Sequence, residues 1–284
     1  MILEELLKPI IAEKTQLGVS KTVIVNYLKE YIQYLVLQFI YNHPQYKQLV
    51  FKGGSCLRIC YGLPRLSEDL DFDYEAKRFS GRFLPDVEKY LSDEIRSKYF
   101  SPLETKIQST TRLYLKFPFL YKLGLAEKSE SDKLYVKIEI EDAILPEASF
   151  ALTPVSKLGF NFMAYHYDLP TLMSGKIHAL LNRLWFKGEK NEIDMKGRDF
   201  YDLYWFLQNN IKLNWRSLKK ITTVKNEKEL KTTLIERISK TVTPQKLTYD
   251  LKNFLPDSVF VSDFSKNYLE LTKKMIEEYD EKLH

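Results

Sequence analysis

Three aspartates stand at every second position in RLSEDLDFDY: Asp69, Asp71 and Asp73, with Leu70 and Phe72 between them. On a β-strand that spacing puts the carboxylates on one face and the apolar side chains on the other. Two carboxylates at i and i+2 are about 6.5–7 Å apart at their Cα atoms, so their side chains can converge on one divalent cation or bridge two. Neighbouring carboxylates repel, and a bound cation removes the repulsion. Magnesium suits such a pair, because it takes carboxylate oxygens together with the phosphates of a substrate. Fourteen residues before Asp69, Ser55 follows Gly53 and Gly54 in FKGGSCLR. Two glycines let the backbone turn sharply with no side chain in the way. Exposed N–H groups at a helix start, beside a hydroxyl, can cradle a phosphate. By itself the fragment reads sooner as an ordinary strand–helix turn capped by Ser55, and no GxxxxGK[ST] loop occurs in the chain. A phosphate cradle, a short helix and an acidic strand in succession are the parts that nucleotidyl transfer requires: a held triphosphate, and cations beside the attacked phosphorus.

Further candidates follow. Glu139 alternates with Glu141 in KLYVKIEIED. It supplies a third carboxylate if its strand lies beside the aspartates, and is a solvent-facing residue otherwise. Lys176 and Arg183 are seven apart in GKIHALLNR, two helical turns on one face, opposite Ile177, Leu180, Leu181 and Leu184. Aligned cations suit a triphosphate, and equally a solvated helix face. Asp199 and Asp202 are three apart in RDFYDLY. Asp199 either holds Lys176 in place or acts as general base toward an acceptor hydroxyl. Asp202 is expected as an ion-pair partner of Arg198 or Arg183. The four histidines, His43, His166, His178 and His284, show no ligand pattern. Cys56 and Cys60 match no zinc spacing and are expected as buried free thiols.

The stretch FKGGSCLRICYGLPRLSEDLDFDY resembles the signature of the AbiEii/AbiGii toxin family of nucleotidyltransferases, within the DNA polymerase β-like superfamily. The family pattern GG[ST]xLR…YGxxRxSxDLDF is met at Gly53, Gly54, Ser55, Leu57, Arg58, Tyr61, Gly62, Arg65, Ser67, Asp69, Leu70, Asp71 and Phe72. Lys137 and Glu139 match a strand KxE element, and Lys176 and Arg183 a helical Lys–Arg pair. Arg198, Asp199, Tyr201, Asp202, Leu203 and Tyr204 match an RDxYDLY element. These motifs span residues 50–207, and neither the first 45 residues nor the last 75 carry one.

The resemblance implies a magnesium-dependent nucleotidyltransferase toxin, with one or two metal ions and an NTP as substrate. It implies a type IV toxin–antitoxin system, a separate antitoxin protein and a role in abortive phage infection. Metal ligation falls to Asp69 and Asp71, with Glu139 as the third carboxylate. Catalytic roles fall to Asp69, Asp71, Lys176 and Asp199. Nucleotide binding falls to Gly53, Gly54, Ser55, Arg58, Ser67, Lys137, Lys176 and Arg183. In that register Asp73 lies outside the metal pair, either facing solvent at the strand end or assisting through water. The expected acceptor is an RNA 3′-hydroxyl, that of tRNA in the first place, with release of pyrophosphate. A protein hydroxyl or a small molecule would be modified by the same residues. A module that binds NTP without turnover is the reading from a different class, and the intact Asp69, Asp71, Lys176 and Asp199 argue against it.

These residues need elements to position them. ILEELLKPIIAEKTQLG reads as an amphipathic helix ending near Gly18, and Ser20 caps a long helix that stops before Pro44. KQLVFKGG is a short strand running into a turn, SCLRICYG a short helix closed by Gly62, and EDLDFDY the acidic strand. Residues 80–99 read as a helix, and STTRLYLKFPFLY and KLYVKIEIED as a hairpin. A helix from Pro170 to Gly188 and a second over GRDFYDLYWFLQNN open a region that is helical to its end. The expected fold is α+β: a small mixed nucleotidyltransferase-like sheet with flanking helices over 1–160, then a helical domain over 161–284 that completes the NTP site.

With 284 residues, 44% of them hydrophobic, and only 10 glycines and 11 prolines, the chain can bury a sizeable core and is not a disordered one. Lys and Arg exceed Asp and Glu by five, which permits a polyanionic partner without requiring one. The N-terminus carries acids early and no basic leader, and YLVLQFIY is too short to span a bilayer. A cytoplasmic protein with no membrane partner is expected.

Overall fold

A computed structural model of the chain describes residues 2–75, 83–183, 186 and 194–279. Helices α1 (Ile2–Gln16) and α2 (Lys21–Asn42) come first, and Ser20 caps α2 by accepting a hydrogen bond from the Val23 amide. Strand β1 (Val50–Lys52) turns directly into α3 (Gly53–Tyr61), which ends at Gly62 with φ 77°. Then come β2 (Asp69–Asp73), α4 (Phe83–Lys98), β3 (Glu104–Gln108), β4 (Arg112–Pro118), β5 (Lys133–Glu141), β6 (Phe150–Lys157) and β7 (Phe160–Tyr167). Among the described residues these strands form one seven-stranded sheet in the order β3-β4-β5-β2-β1-β7-β6. It is mixed: β2–β5 and β1–β7 run parallel, while β1–β2, β3–β4 and β4–β5 are antiparallel.

The alternation in β2 has the expected consequence. Leu70 and Phe72 are fully buried, whereas Asp69 and Asp71 on the other face are half-buried. Phe72 stacks on Phe51 of β1 with centroids 5.2 Å apart, and Tyr41 of α2 closes over it. Helix α2 is apolar nearly all round because it is a core helix. Its buried polar residues brace the segment between α3 and β2: Glu30 pairs with Arg58, and the Gln33 amide donates to the Ser67 carbonyl at 3.0 Å.

Three strands fall outside the elements expected from the sequence. β3 is almost wholly exposed and polar, and β6 contains Pro154; both are edge strands, where those features are tolerated. β6 and β7 are joined through Leu158 and Gly159, both with positive φ, the backbone of a tight hairpin turn. β7 runs to Tyr167, so strand structure continues past residue 160.

The chain divides into two compact units, Met1–Ile144 with Ala151–His166, and Leu145–Phe150 with Tyr167–His284. In the second unit, α5 (Leu169–Asn182) packs on α6 (Gly197–Gln208) and α7 (Trp215–Ile221). Helices α8 (Glu227–Thr241), α9 (Pro244–Leu251) and α10 (Ser258–Glu278) complete it around Tyr201, Phe264 and Tyr268. The short segment 145–150 belongs here because Asn214 donates to the Glu147 carbonyl at 2.7 Å, and the Tyr167 hydroxyl accepts from the Leu145 amide. α5 is capped by Asp168 and ends at Asn182, earlier than expected; Leu184 and Gly188 lie outside the described residues. No helix among the described residues is long and apolar enough to cross a membrane.

Candidate active site

The first unit gathers its chemistry at the junction of β1, α3, β2 and β5. Lys52 ends β1 in extended conformation, and Gly53 starts α3 with φ 77°, a backbone geometry that side-chain-bearing residues rarely adopt. The position also has no room: a Cβ on Gly53 would overlap the Asp71 carboxylate. A Cβ on Gly54 would come within 3.0 Å of the Arg65 guanidinium and the Ser67 hydroxyl. The two glycines therefore let the helix start come down onto β2 and the segment leading into it. The N-cap residue, Lys52, makes no side-chain capping hydrogen bond to this helix. Ser55 is not the cap but a first-turn residue, and its buried hydroxyl donates to the Asp69 carbonyl, tying α3 to β2.

Parallel pairing sets Asp69 beside Lys137 and Asp71 beside Glu139. The Lys137 ammonium bridges the row, 3.1 Å from Asp69 Oδ2 and 3.0 Å from Glu139 Oε2. The other Glu139 oxygen accepts from Arg112 Nε at 2.7 Å, across the antiparallel β4. Burial would raise the Glu139 pKa, but Arg112 and Lys137 outweigh it and hold the carboxyl below its usual range. Burial likewise opposes the Lys137 charge, and Asp69, Glu139 and Asp71 overcome it, raising its pKa. Glu139 is thus next to Asp71 in register and already engaged by two cations.

Asp73 differs from the expectation of a solvent-facing or water-linked residue. It is 1% exposed, and its carboxylate lies 2.6 Å from Lys52 Nζ, which also reaches Glu141 at 2.8 Å. The same strand face therefore carries two kinds of carboxylate: a half-buried pair at Asp69 and Asp71, and a buried ion pair at Asp73. Arg58 points its guanidinium at Glu30, 2.6 Å away, and at the carbonyls of Leu63 and Pro64. That arrangement braces the loop between α3 and β2.

In the second unit, Lys176 of α5 meets both acids of α6, 2.9 Å from Asp199 Oδ1 and 2.9 Å from Asp202 Oδ2. Arg183, just past the end of α5, pairs with the other Asp199 oxygen. Asp202 is thus a partner of Lys176, while Arg198 binds Asp250 of α9. Burial raises the Asp199 pKa, but Lys176, Lys196 and Arg183 overwhelm it and hold the group well below the usual carboxylate range. Such a carboxylate is a poor proton acceptor near neutral pH.

The profile of the family described as nucleotidyl transferase AbiEii toxin, type IV toxin–antitoxin system, matches residues 35–282. The chain belongs to this family. It is a nucleotidyltransferase of the AbiEii toxin class, and the match extends well beyond the motif-bearing residues 50–207 into the C-terminal helices. Among solved structures, MenT4, a nucleotidyltransferase toxin from Mycobacterium tuberculosis, is similar with a TM-score of 0.56 and 14% identity, over 96% of this chain and 90% of that one. That likeness is one of fold. JHP933 from Helicobacter pylori aligns over 89% of this chain and 93% of its own at 20% identity, with a TM-score of 0.44. No curated protein matches the sequence.

In this AbiEii protein three groups escape a reading by motif. Lys52 carries no local signal, and only the sheet shows it joining Asp73 to Glu141. Lys196 precedes α6; desolvation, aided by Arg198 and opposed by Asp199, brings its pKa down to about 8. His166, expected to stand apart, lies against Cys56 and Cys60. More than a hundred residues separate it from them in sequence, so no spacing rule could have found the group.

Proposed function

We propose that this AbiEii toxin transfers a nucleoside monophosphate from an NTP to the 3′-hydroxyl of tRNA, releasing pyrophosphate, with magnesium held by Asp69 and Asp71. The observation that carries the reading is the approach of the Asp71 carboxylate to the start of α3 at Gly53. A phosphate received by the helix N-terminus would there lie beside the paired carboxylates. The donor set fits the metal: Asp69 and Asp71 offer hard carboxylate oxygens, half exposed, on neighbouring positions of one strand face. When bound, the ion would neutralise charge on the attacked phosphorus and the departing pyrophosphate.

Contacts and the family pattern together support the remaining roles. Lys137 and Arg112 hold Glu139 as an anion beside Asp71, where it serves as third carboxylate. Gly53 and Gly54 bring backbone N–H groups to the phosphates, Ser55 ties the helix to the acidic strand beneath them, and the Ser67 hydroxyl lies close against Gly54. Arg58 acts from further out, through Glu30 and the loop carbonyls. Lys176 and Arg183 are assigned to the triphosphate by their match to the family pattern. Asp199 is assigned to positioning them, since both its oxygens are engaged by those two cations. The net charge of +5 is compatible with an RNA acceptor. The reaction is placed in the cytoplasm, where NTPs and tRNA coexist, under control of a separate antitoxin protein.

The test is incubation of the purified protein with magnesium, total cellular RNA and each labelled NTP in turn, followed by sizing of the product. One NTP should label a tRNA-sized band, with pyrophosphate released in equal amount and the signal lost in EDTA. Label on protein in place of RNA would overturn the acceptor. NTP binding without any labelled product would overturn the transfer reaction.

A further inference from the structure

Cys56 and Cys60 are one turn apart on α3, and the parallel strand β7 brings His166 to the same point, in register with Phe51 of β1. One sulfur from each cysteine and one ring nitrogen of His166 all lie within 4.8 Å of one another. Both cysteines are free thiols, and Cys56 and His166 are fully buried, while Cys60 is half exposed. We propose that Cys56, Cys60 and His166 form a binding site for one soft divalent metal ion of the zinc class, separate from the carboxylate site, which clamps α3 to β7.

The donor chemistry selects the ion. Two thiolates and an imidazole suit zinc, whereas magnesium takes oxygen ligands. Zinc–sulfur bonds of about 2.3 Å and zinc–nitrogen bonds of about 2.0–2.1 Å in a tetrahedron put ligand atoms roughly 3.5–3.8 Å apart. The cluster would have to contract by about an ångström to hold the ion. Metal-ligating histidines keep a hydrogen bond at the second ring nitrogen, which fixes the ring. His166 has such partners at both nitrogens, Thr153 Oγ1 at 2.8 Å and the Tyr61 hydroxyl at 3.2 Å. One partner stays when the other nitrogen turns to the metal. Water entering past Cys60 completes the tetrahedron.

The clamp would act on a helix whose first turn is placed against Asp71. Cys56 is one turn beyond Gly53, so an ion at this site stiffens the segment that sets the glycine approach to β2. Its role is structural.

The full-length protein, reduced and stripped of metal, is titrated with cobalt(II) and then zinc(II) in magnesium-containing buffer. One equivalent of cobalt should give a thiolate-to-cobalt charge-transfer band and the visible absorption of a tetrahedral site. Zinc should abolish both and raise the melting temperature by several degrees. Cys60→Ser should weaken cobalt affinity roughly 100-fold or more. His166→Asn should do the same, and either variant's fold is checked by circular dichroism. Absence of the charge-transfer band in the wild-type protein would overturn the site whatever the variants do. So would a band that persists unchanged in folded Cys60→Ser.

Discussion

The Asp71 carboxylate and the Cα of Gly53 are in such close approach that no side chain fits between them. The contact joins the acidic strand to the first turn of α3, and the glycine is required twice: for its positive φ and for its missing Cβ.

Gly62 separates the two requirements. It has the same φ of 77°, but no neighbouring group among the described residues lies within 4 Å of an added Cβ. Gly62→Ala should therefore cost about 1–2 kcal/mol of stability from backbone strain alone and leave transfer per folded molecule near the wild-type rate. Gly53→Ala should lose the same stability or more and reduce nucleotidyl transfer by about 100-fold, because Asp71 or the helix start has to move. Urea unfolding and labelled-NTP incorporation, measured on both variants, make the comparison. Equal activity in the two would remove the functional meaning of the Gly53–Asp71 contact.

The carboxylates of β2 should behave differently when neutralised. Asp69→Asn and Asp71→Asn should each abolish growth inhibition and reduce transfer by about 1,000-fold or more, while the protein stays folded. Lys137 keeps Glu139 as a partner in Asp69→Asn. Asp73→Asn leaves the buried end of Lys52 without its closest carboxylate, and should cost about 3–5 kcal/mol of stability. Chemical denaturation alongside activity per folded molecule tests the contrast. An inactive but fully stable Asp73→Asn would move Asp73 into the catalytic group.

Acid stability should report on Asp199. Its folded pKa lies well below the unfolded value of about 3.9. The stabilisation is therefore fully present above about pH 5 and lost progressively as pH falls below about 4. Asp199→Asn removes this dependence. Its unfolding free energy should be lower than wild type at pH 7, and the difference should shrink steadily as pH falls below about 4. Urea melts across that range, giving parallel curves instead, would show that the pair with Lys176 and Arg183 contributes no such linkage.

Lys176→Met should weaken NTP binding by about 10-fold or more if its ammonium meets phosphate. It also leaves buried Asp202 without the Lys176 ammonium, so the protein should be less stable. Removing Asp202 as well, in Lys176→Met/Asp202→Asn, should restore stability but not affinity. Recovery of both in isothermal titration would assign Lys176 a structural role only.

The sequence carried the local facts. Alternation in DLDFD placed Asp69 and Asp71 opposite Leu70 and Phe72, and the burial of those two apolar residues follows from period two alone. The capping serine of α2, the glycine ends of α3 and the β4–β5 hairpin are likewise written in short stretches. The motif-bearing residues were enough to name the family, because their spacing is a property of one chain segment at a time.

Partners across the strands were decided only by the sheet. Whether Asp73 met solvent or a cation depended on antiparallel pairing with β1, which set Lys52 beside this face of β2. Whether Glu139 stood beside Asp71 depended on a parallel register with β5, and the same register put Lys137 between Asp69 and Glu139. His166 reached Cys60 only because β7 lies next to β1. Strand order follows from burying the apolar faces of many segments at once, a property of no single one of them. A charged side chain takes whatever partner that arrangement brings within reach, so the ion pairs of the sheet became legible only in three dimensions, whereas the pairing of Lys176 with Asp199 was already among the readings of the sequence.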